Sequence, residues 1–286
     1  MIKVKEYTTD FVTSKDGTKI HYRQIGSGSG IILVHGGMMY AQNFMNLAKL
    51  LANEFTVYIP DRRGRGLSGA YIDSHILKAE SEDIKAIINK TKAQNIFGLS
   101  SGAIIVLQTA ILEPGLRKVV LYEPPIPING KIPFAFIDDY EDALSKGNLG
   151  KAFVNFIKGA DKSSLFGILP RFITIPVINY ALKAEAKKEK ANDEVFLNEL
   201  IPTLHYDSKI VFESEGIIDK CKNIKADILL LGGQKSMNFL KTALDVLSAA
   251  LPQAKRIELL GVGHVAADNS GKPVVVANEL RHFFRR

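Results

Sequence analysis

Residues 98 to 102 read Gly-Leu-Ser-Ser-Gly, the order G-x-S-x-G. The pattern is weak alone and gains meaning from its setting, a buried-looking strand (NIFGL) before it and an apolar helix (GAIIVLQTAIL) after it. There the glycines relieve crowding at a sharp strand-to-helix turn, so Ser100 can sit in strained backbone with its hydroxyl exposed. The helix that starts at this point aims its positive end at the same spot, which favours developing negative charge. A serine that only caps the helix is the alternative.

A serine hydroxyl needs a base to act as a nucleophile at neutral pH. Of the six histidines, His264 in LLGVGHVA follows the last strand, where a strand end would present it at the same rim as Ser100. His35 reads as a turn residue before Gly36 and Gly37, and His21, His75, His205 and His282 read as structural. Acyl chemistry also needs preorganised donors for an oxyanion. One is expected from the amide of Ser101, the other from the loop after ILV, with Gly37 first and Met38 next; a plain glycine turn is the alternative there. Cys221, the single cysteine, lies among lysines with no histidine near it in sequence and reads as incidental.

The elements that must position these residues alternate. DGTKIHYRQI begins an antiparallel hairpin through an Asp-Gly turn. GIILVHGG is a strand apolar on both faces, as in a sheet covered by helices on both sides. Phe44, Leu47, Ala48 and Leu51 then fall on one helical face, TVYIP is a strand, Ile84, Ile87 and Ile88 mark a helix, and RKVVLY is a strand after the Ser100 helix. Beyond LYEPP the rhythm breaks until about residue 210, with helical patterns and prolines but little strand, and it resumes with ADILLLGG, a helix, KRIELL and a final helix. The expectation is an α/β fold with a mostly parallel sheet, divided as 1–125 core, 126–210 helical insertion placed as a lid, and 211–286 core.

At 286 residues and 46% hydrophobic the chain can build one sizeable core. The formal charge of +7 is scattered, and the densest block, KAEAKKEKANDE, mixes both signs, so no nucleic-acid partner is expected. MIKVKEYTTDF has no apolar stretch behind its lysines, and AIIVLQTAIL is too short and too polar to span a bilayer. A cytoplasmic protein with no membrane partner, no metal and no organic cofactor is expected, acting on a small molecule.

Taken together, HGG at 35–37, DRRGRGLS at 61–68, GLSSG at 98–102 and GVGHVA at 261–266 resemble the α/β-hydrolase superfamily in order and spacing, over nearly all the chain outside the insertion. The resemblance implies Ser100 as nucleophile, His264 as base, the insertion as a cap, and Asp61 with Arg62 and Arg63 as a turn-forming motif. It also implies an aspartate just past ILLLGG, where this chain has Ser236. Glu123, ending the strand after the Ser100 helix, lies at the same sheet edge and is the expected replacement. A rim carboxylate that merely bonds the Pro124-Pro125 turn is its alternative. Asp227 stands at the wrong end of its strand, Asp245 inside a helix, and Asp268 too close after His264.

Serine at the elbow disfavours dehalogenase and epoxide hydrolase chemistries, which use a carboxylate nucleophile. An esterase-like acyl-enzyme mechanism is expected. An acyltransferase, a carbon–carbon bond hydrolase, a cofactor-free perhydrolase and a catalytically silent receptor or scaffold stay open. Phe134, Phe136, Phe153, Phe156, Phe166 and Phe172 either favour an apolar or aromatic ester or form the insertion's own core.

Overall fold

A computed structural model describes residues 7–130, 136–160, 165–191 and 193–285. Most of the lysine-bearing start of the chain (residues 1–6) and Phe134 lie outside the described residues, as does the side chain of Phe166. Among these residues eight strands form one sheet: β1 (Thr8–Thr13), β2 (Lys19–Ile25), β3 (Ser29–Val34), β4 (Phe55–Pro60), β5 (Asn95–Leu99), β6 (Lys118–Tyr122), β7 (Asp227–Gly233) and β8 (Lys255–Leu259). Their order is β1-β2-β4-β3-β5-β6-β7-β8. The β1–β2 and β2–β4 pairings are antiparallel, and every pairing from β4 to β8 is parallel.

Among the described residues twelve α-helices accompany it: α1 (Met45–Leu51), α2 (Ile76–Thr91), α3 (Ser101–Leu112), α4 (Ile137–Ser145), α5 (Leu149–Ala160), α6 (Leu165–Ile168), α7 (Arg171–Glu185), α8 (Leu197–Leu200), α9 (Leu204–Glu213), α10 (Ile217–Lys220), α11 (Asn238–Ala250) and α12 (Pro273–Arg285). The central strands are apolar throughout because each face of the sheet has its own core. Ile32, Val34, Ile96, Val119 and Leu121 pack with α2 and α3, while Ile31, Leu33, Phe97, Val120 and Tyr122 pack with α1 and α12. Alternate residues of one strand therefore feed opposite layers, as the period of two requires. α3 is buried almost all round, which explains its uniformly apolar sequence.

Helices α4 to α9 fill the stretch in which no strand is found among the described residues. Ile137, Tyr140, Ala143, Ala152, Val154, Ile178 and Leu182 give that segment a small core of its own. α9 runs through residue 210, where the rhythm of the sequence changes, and packs back on α2 and α3. Among the described residues no helix is long and apolar enough to cross a membrane.

Candidate active site

The parallel order places the carboxyl ends of β3, β5, β6, β7 and β8 side by side, and the loops leaving them supply the candidate residues. β5 passes into α3 through Ser100, whose backbone has φ 56° and ψ −125°. That conformation is costly for a residue with a Cβ. It is held by the Ser100 amide donating to the Tyr122 carbonyl of β6 at 2.9 Å and by close approach of the neighbouring backbone. A Cβ at Gly102 would come within 2.4 Å of the His35 carbonyl oxygen, and one at Gly98 within 2.5 Å of that of Gly102, so both glycines are required by the packing of the turn.

The strain has a measurable consequence. Ser100→Gly is expected to remove whatever activity depends on the hydroxyl while raising stability by about 1 kcal/mol, because glycine adopts this conformation without penalty. Urea melts of the two proteins check it.

β6 is followed directly by Glu123, which is fully buried and also has positive φ, at 49°. Its Oε1 accepts from the Gly233 amide at the end of β7 at 2.6 Å, and its Oε2 lies 2.7 Å from Nδ1 of His264. The carboxylate thus reaches away from the Pro124-Pro125 turn, and the His264 side chain is about a quarter exposed. The loop carrying His264 is tied down by the Tyr122 hydroxyl, which donates to the Gly263 carbonyl at 2.8 Å. With Nδ1–H donated to Glu123, the imidazole keeps Nε2 as its proton acceptor.

The other sequence candidates lie elsewhere. Ser236 is buried at the β7 exit, and its hydroxyl has no hydrogen-bond partner among the described residues. Asp227 opens β7 and is exposed, Asp245 pairs with Arg256, and Asp268 accepts from the Asn43 amide group at 2.7 Å and from the Ser270 backbone at 2.7 Å. His35 is fully buried, and burial together with Arg65 and Arg62 holds it well below the usual imidazole range, so it is neutral. Burial pushes the Cys221 thiol up to about 12, which makes it a poor nucleophile. Among the described residues no group of three or more His, Cys, Asp and Glu is arranged to hold a metal ion.

Ser100 and His264 line one cavity of about 120 Å³, together with Gly37, Ser101, Phe136 and Phe156. The amides of Gly37 and Ser101 donate to no protein acceptor among the described residues, whereas the Met38 amide donates to Asp207 Oδ2 at 3.3 Å. Phe136 and Phe156 meet edge to face at 5.8 Å, Phe153 stacks on Phe156 behind them, and Phe172 is largely exposed on α7. Phe136 and Phe156, Phe153, and Phe172 thus divide between the cavity wall, its support and the surface.

One part of the neighbourhood escaped sequence reasoning. Arg62 forms a two-pronged pair with Glu80 of α2 at 2.6 and 2.7 Å and reaches Asp207 of α9 at 2.9 Å, while Arg65 reaches the same carboxylate at 2.6 Å. The DRRGRG run announced a turn, but nothing in its sequence names acids so far along the chain. The available signal was an acid on the buried stripe of α9, where Leu204, Asp207, Ser208 and Val211 share a face.

Similarity to known proteins agrees with this architecture. A model of the alpha/beta hydrolase family matches residues 31–278. The chain belongs to that family. It is 39% identical over 114 residues to the uncharacterized hydrolase YraK of Bacillus subtilis (strain 168), covering 38% of this chain and 42% of that protein. It is 31% identical over 143 residues to N-formylmaleamate deformylase of Pseudomonas putida, covering 48% and 53%. The chain therefore spans about half the length of these two relatives. An alpha/beta hydrolase from Sphaerobacter thermophilus DSM 20745 superposes with a TM-score of 0.74 at 25% identity, over 96% of this chain and all of that one.

Proposed function

We propose that the protein is a serine hydrolase that cleaves small, apolar carboxylic esters or related acyl bonds through an acyl-enzyme. The reading rests on one observation above the rest: a buried carboxylate, Glu123, hydrogen-bonded at 2.7 Å to His264, which lines the same cavity as the strained elbow serine. A silent scaffold has no need of that pair, and the hydrolase and deformylase relatives support hydrolysis of an acyl bond.

In this mechanism Ser100 Oγ attacks the substrate carbonyl carbon while His264 Nε2 takes the hydroxyl proton. Glu123 fixes the ring's tautomer and stabilises the imidazolium. The amides of Gly37 and Ser101 hold the oxyanion, since they carry no internal acceptor among the described residues and belong to residues that line the cavity with Ser100. The tetrahedral intermediate collapses, the alkoxide leaves with the proton from His264, and water repeats the sequence on the acyl-enzyme to release the acid and restore Ser100.

The cavity volume of about 120 Å³ is close to that of an apolar cavity of roughly 150 Å³ that accommodates benzene. Its wall is apolar apart from the reacting groups, Asp207 and a few serines. A short alkyl or a single aromatic acyl group fits. A methylene that enters such a site gains about 0.8 kcal/mol, so in a roomy site kcat/KM rises with chain length. Here it is expected to peak among p-nitrophenyl acetate, butyrate and benzoate and to fall by about tenfold or more at the decanoate, as overpacking takes over. A steady rise to decanoate contradicts the proposed acyl size, and no turnover across an ester, thioester and lactone panel contradicts the hydrolase reading.

A further inference from the structure

Resting on that reading, we propose that Asp207 is a positioning residue for the oxyanion hole, holding the Gly37–Met38 loop and Ser101 in the register in which the Gly37 and Ser101 amides converge. The carboxylate comes from α9, outside every motif that carries the fold, and is almost wholly buried. Its Oδ1 accepts from Ser101 Oγ at 2.8 Å and from Arg62 Nη1 at 2.9 Å. Its Oδ2 accepts from Arg65 Nη2 at 2.6 Å and from the Met38 amide at 3.3 Å. One carboxylate therefore binds both chain segments that supply the hole.

The contact with the loop is direct. A Cβ at Gly37 would stand 3.1 Å from Asp207 Oδ2, so the carboxylate packs against the residue whose amide is needed. Met38 holds positive φ, at 52°, a conformation that a methionine keeps only when its surroundings enforce it. Asp207 captures the Met38 amide, and Arg65, paired with the same carboxylate, donates through Nη1 to the Gly36 and Met39 carbonyls at 3.1 and 3.2 Å. With the Met38 amide occupied, the Gly37 amide is the loop donor left for an oxyanion.

Charge is compatible with the role. A lone carboxylate beside a developing oxyanion would repel it, but Arg62 and Arg65 pair with this one. Both oxygens are saturated by four donors, which removes Asp207 as a general base. Burial raises its carboxyl, and the two arginines with the Ser101 hydroxyl outweigh that and keep it below the usual carboxylate range, so it stays an acceptor.

The test compares wild type with Asp207→Asn and Ser101→Ala. Asparagine sets an NH2 group against donors that now meet an oxygen, and Ser101→Ala deletes one bond while keeping the Ser101 backbone amide. Turnover is expressed per site titrated by a fluorophosphonate, which removes any loss from misfolding. For Asp207→Asn, kcat per site is expected to fall roughly a hundredfold, the scale of a lost oxyanion donor, with KM within about threefold. Affinity for a trifluoromethyl ketone, whose adduct with Ser100 places an oxyanion in the hole, should fall in parallel. Ser101→Ala should shift both in the same direction by about tenfold, and it decides the matter should the asparagine variant not fold. Unchanged kcat per site and ketone affinity in the folded variants overturn the role of Asp207 alone. A wild type that neither labels nor turns over overturns the hydrolase reading and this role with it.

Discussion

Ser100→Ala should abolish turnover: kcat on the best ester of the panel is expected to fall by roughly a millionfold, the scale seen when a serine nucleophile is removed from an otherwise intact site. The adjacent Ser101 cannot take over. Its hydroxyl donates to Asp207 and accepts from Arg62 at 3.1 Å, so it is committed to the buried charge cluster. Cys221 is buried with its thiol donating to the Ile217 carbonyl. Residual catalysis over water then comes from the oxyanion donors and binding alone. Alanine carries the same backbone strain as serine at φ 56°, so the melting temperature should stay close to that of wild type. That comparison separates a chemical loss from a folding loss. Activity within tenfold of wild type in the alanine variant would contradict the assignment.

The second large effect is expected at Glu123. Glutamine preserves the shape and can still accept from the Gly233 amide through its oxygen, but its NH2 group then faces Nδ1 of His264. To avoid two donors meeting, the imidazole must turn Nδ1 into an acceptor, which moves its proton to Nε2, the nitrogen that takes the proton of Ser100 in the proposed mechanism. The wrong tautomer costs up to about ten-thousand-fold in the well-studied triad, and a loss of a hundredfold to ten-thousand-fold is expected here, in kcat rather than KM. Asp245→Asn is the control: Asp245 is exposed, paired with Arg256 and not among the residues that line the cavity, and the variant should keep near-wild-type kcat. Asp268→Asn should lose stability, since an NH2 group must replace one of the two carboxylate oxygens that accept from the Asn43 side chain and from the Ser270 backbone, with kcat per folded site little changed. Steady-state kinetics on the three variants decides the point; near-wild-type kcat in Glu123→Gln would remove Glu123 from the mechanism.

The alternation of strands and helices was legible because the central strands are covered on both faces. Ile31 and Leu33 feed one core and Ile32 and Val34 the other, and this leaves an uninterrupted apolar run that no surface strand would show. The elbow was legible for a related reason: Gly98 and Gly102 are fixed by close backbone contacts, and that steric demand is written directly as residue type. Contacts across long sequence separations were less so. Glu123 meets His264 across 141 residues, and sequence supports it only through the argument about which strand ends share an edge. Its positive φ, shared with Ser100 and Met38, leaves no mark in sequence because none of the three is glycine.

The helical segment was the least readable. Its small core needs only apolar residues at helical spacing, so periodicity gives its class but not which helix turns inward over α2 and α3. Asp207 shows the consequence. Its importance lies in meeting Arg62 and Arg65, and an ion pair formed over more than 140 residues has no local signature.

The most direct test of the account is labelling of the folded protein by a fluorophosphonate, with intact mass and peptide mapping as the readout. One adduct is expected, on Ser100, absent in Ser100→Ala and formed much more slowly in Glu123→Gln. No adduct on the folded wild-type protein, or an adduct that persists in Ser100→Ala at the wild-type rate, would contradict it.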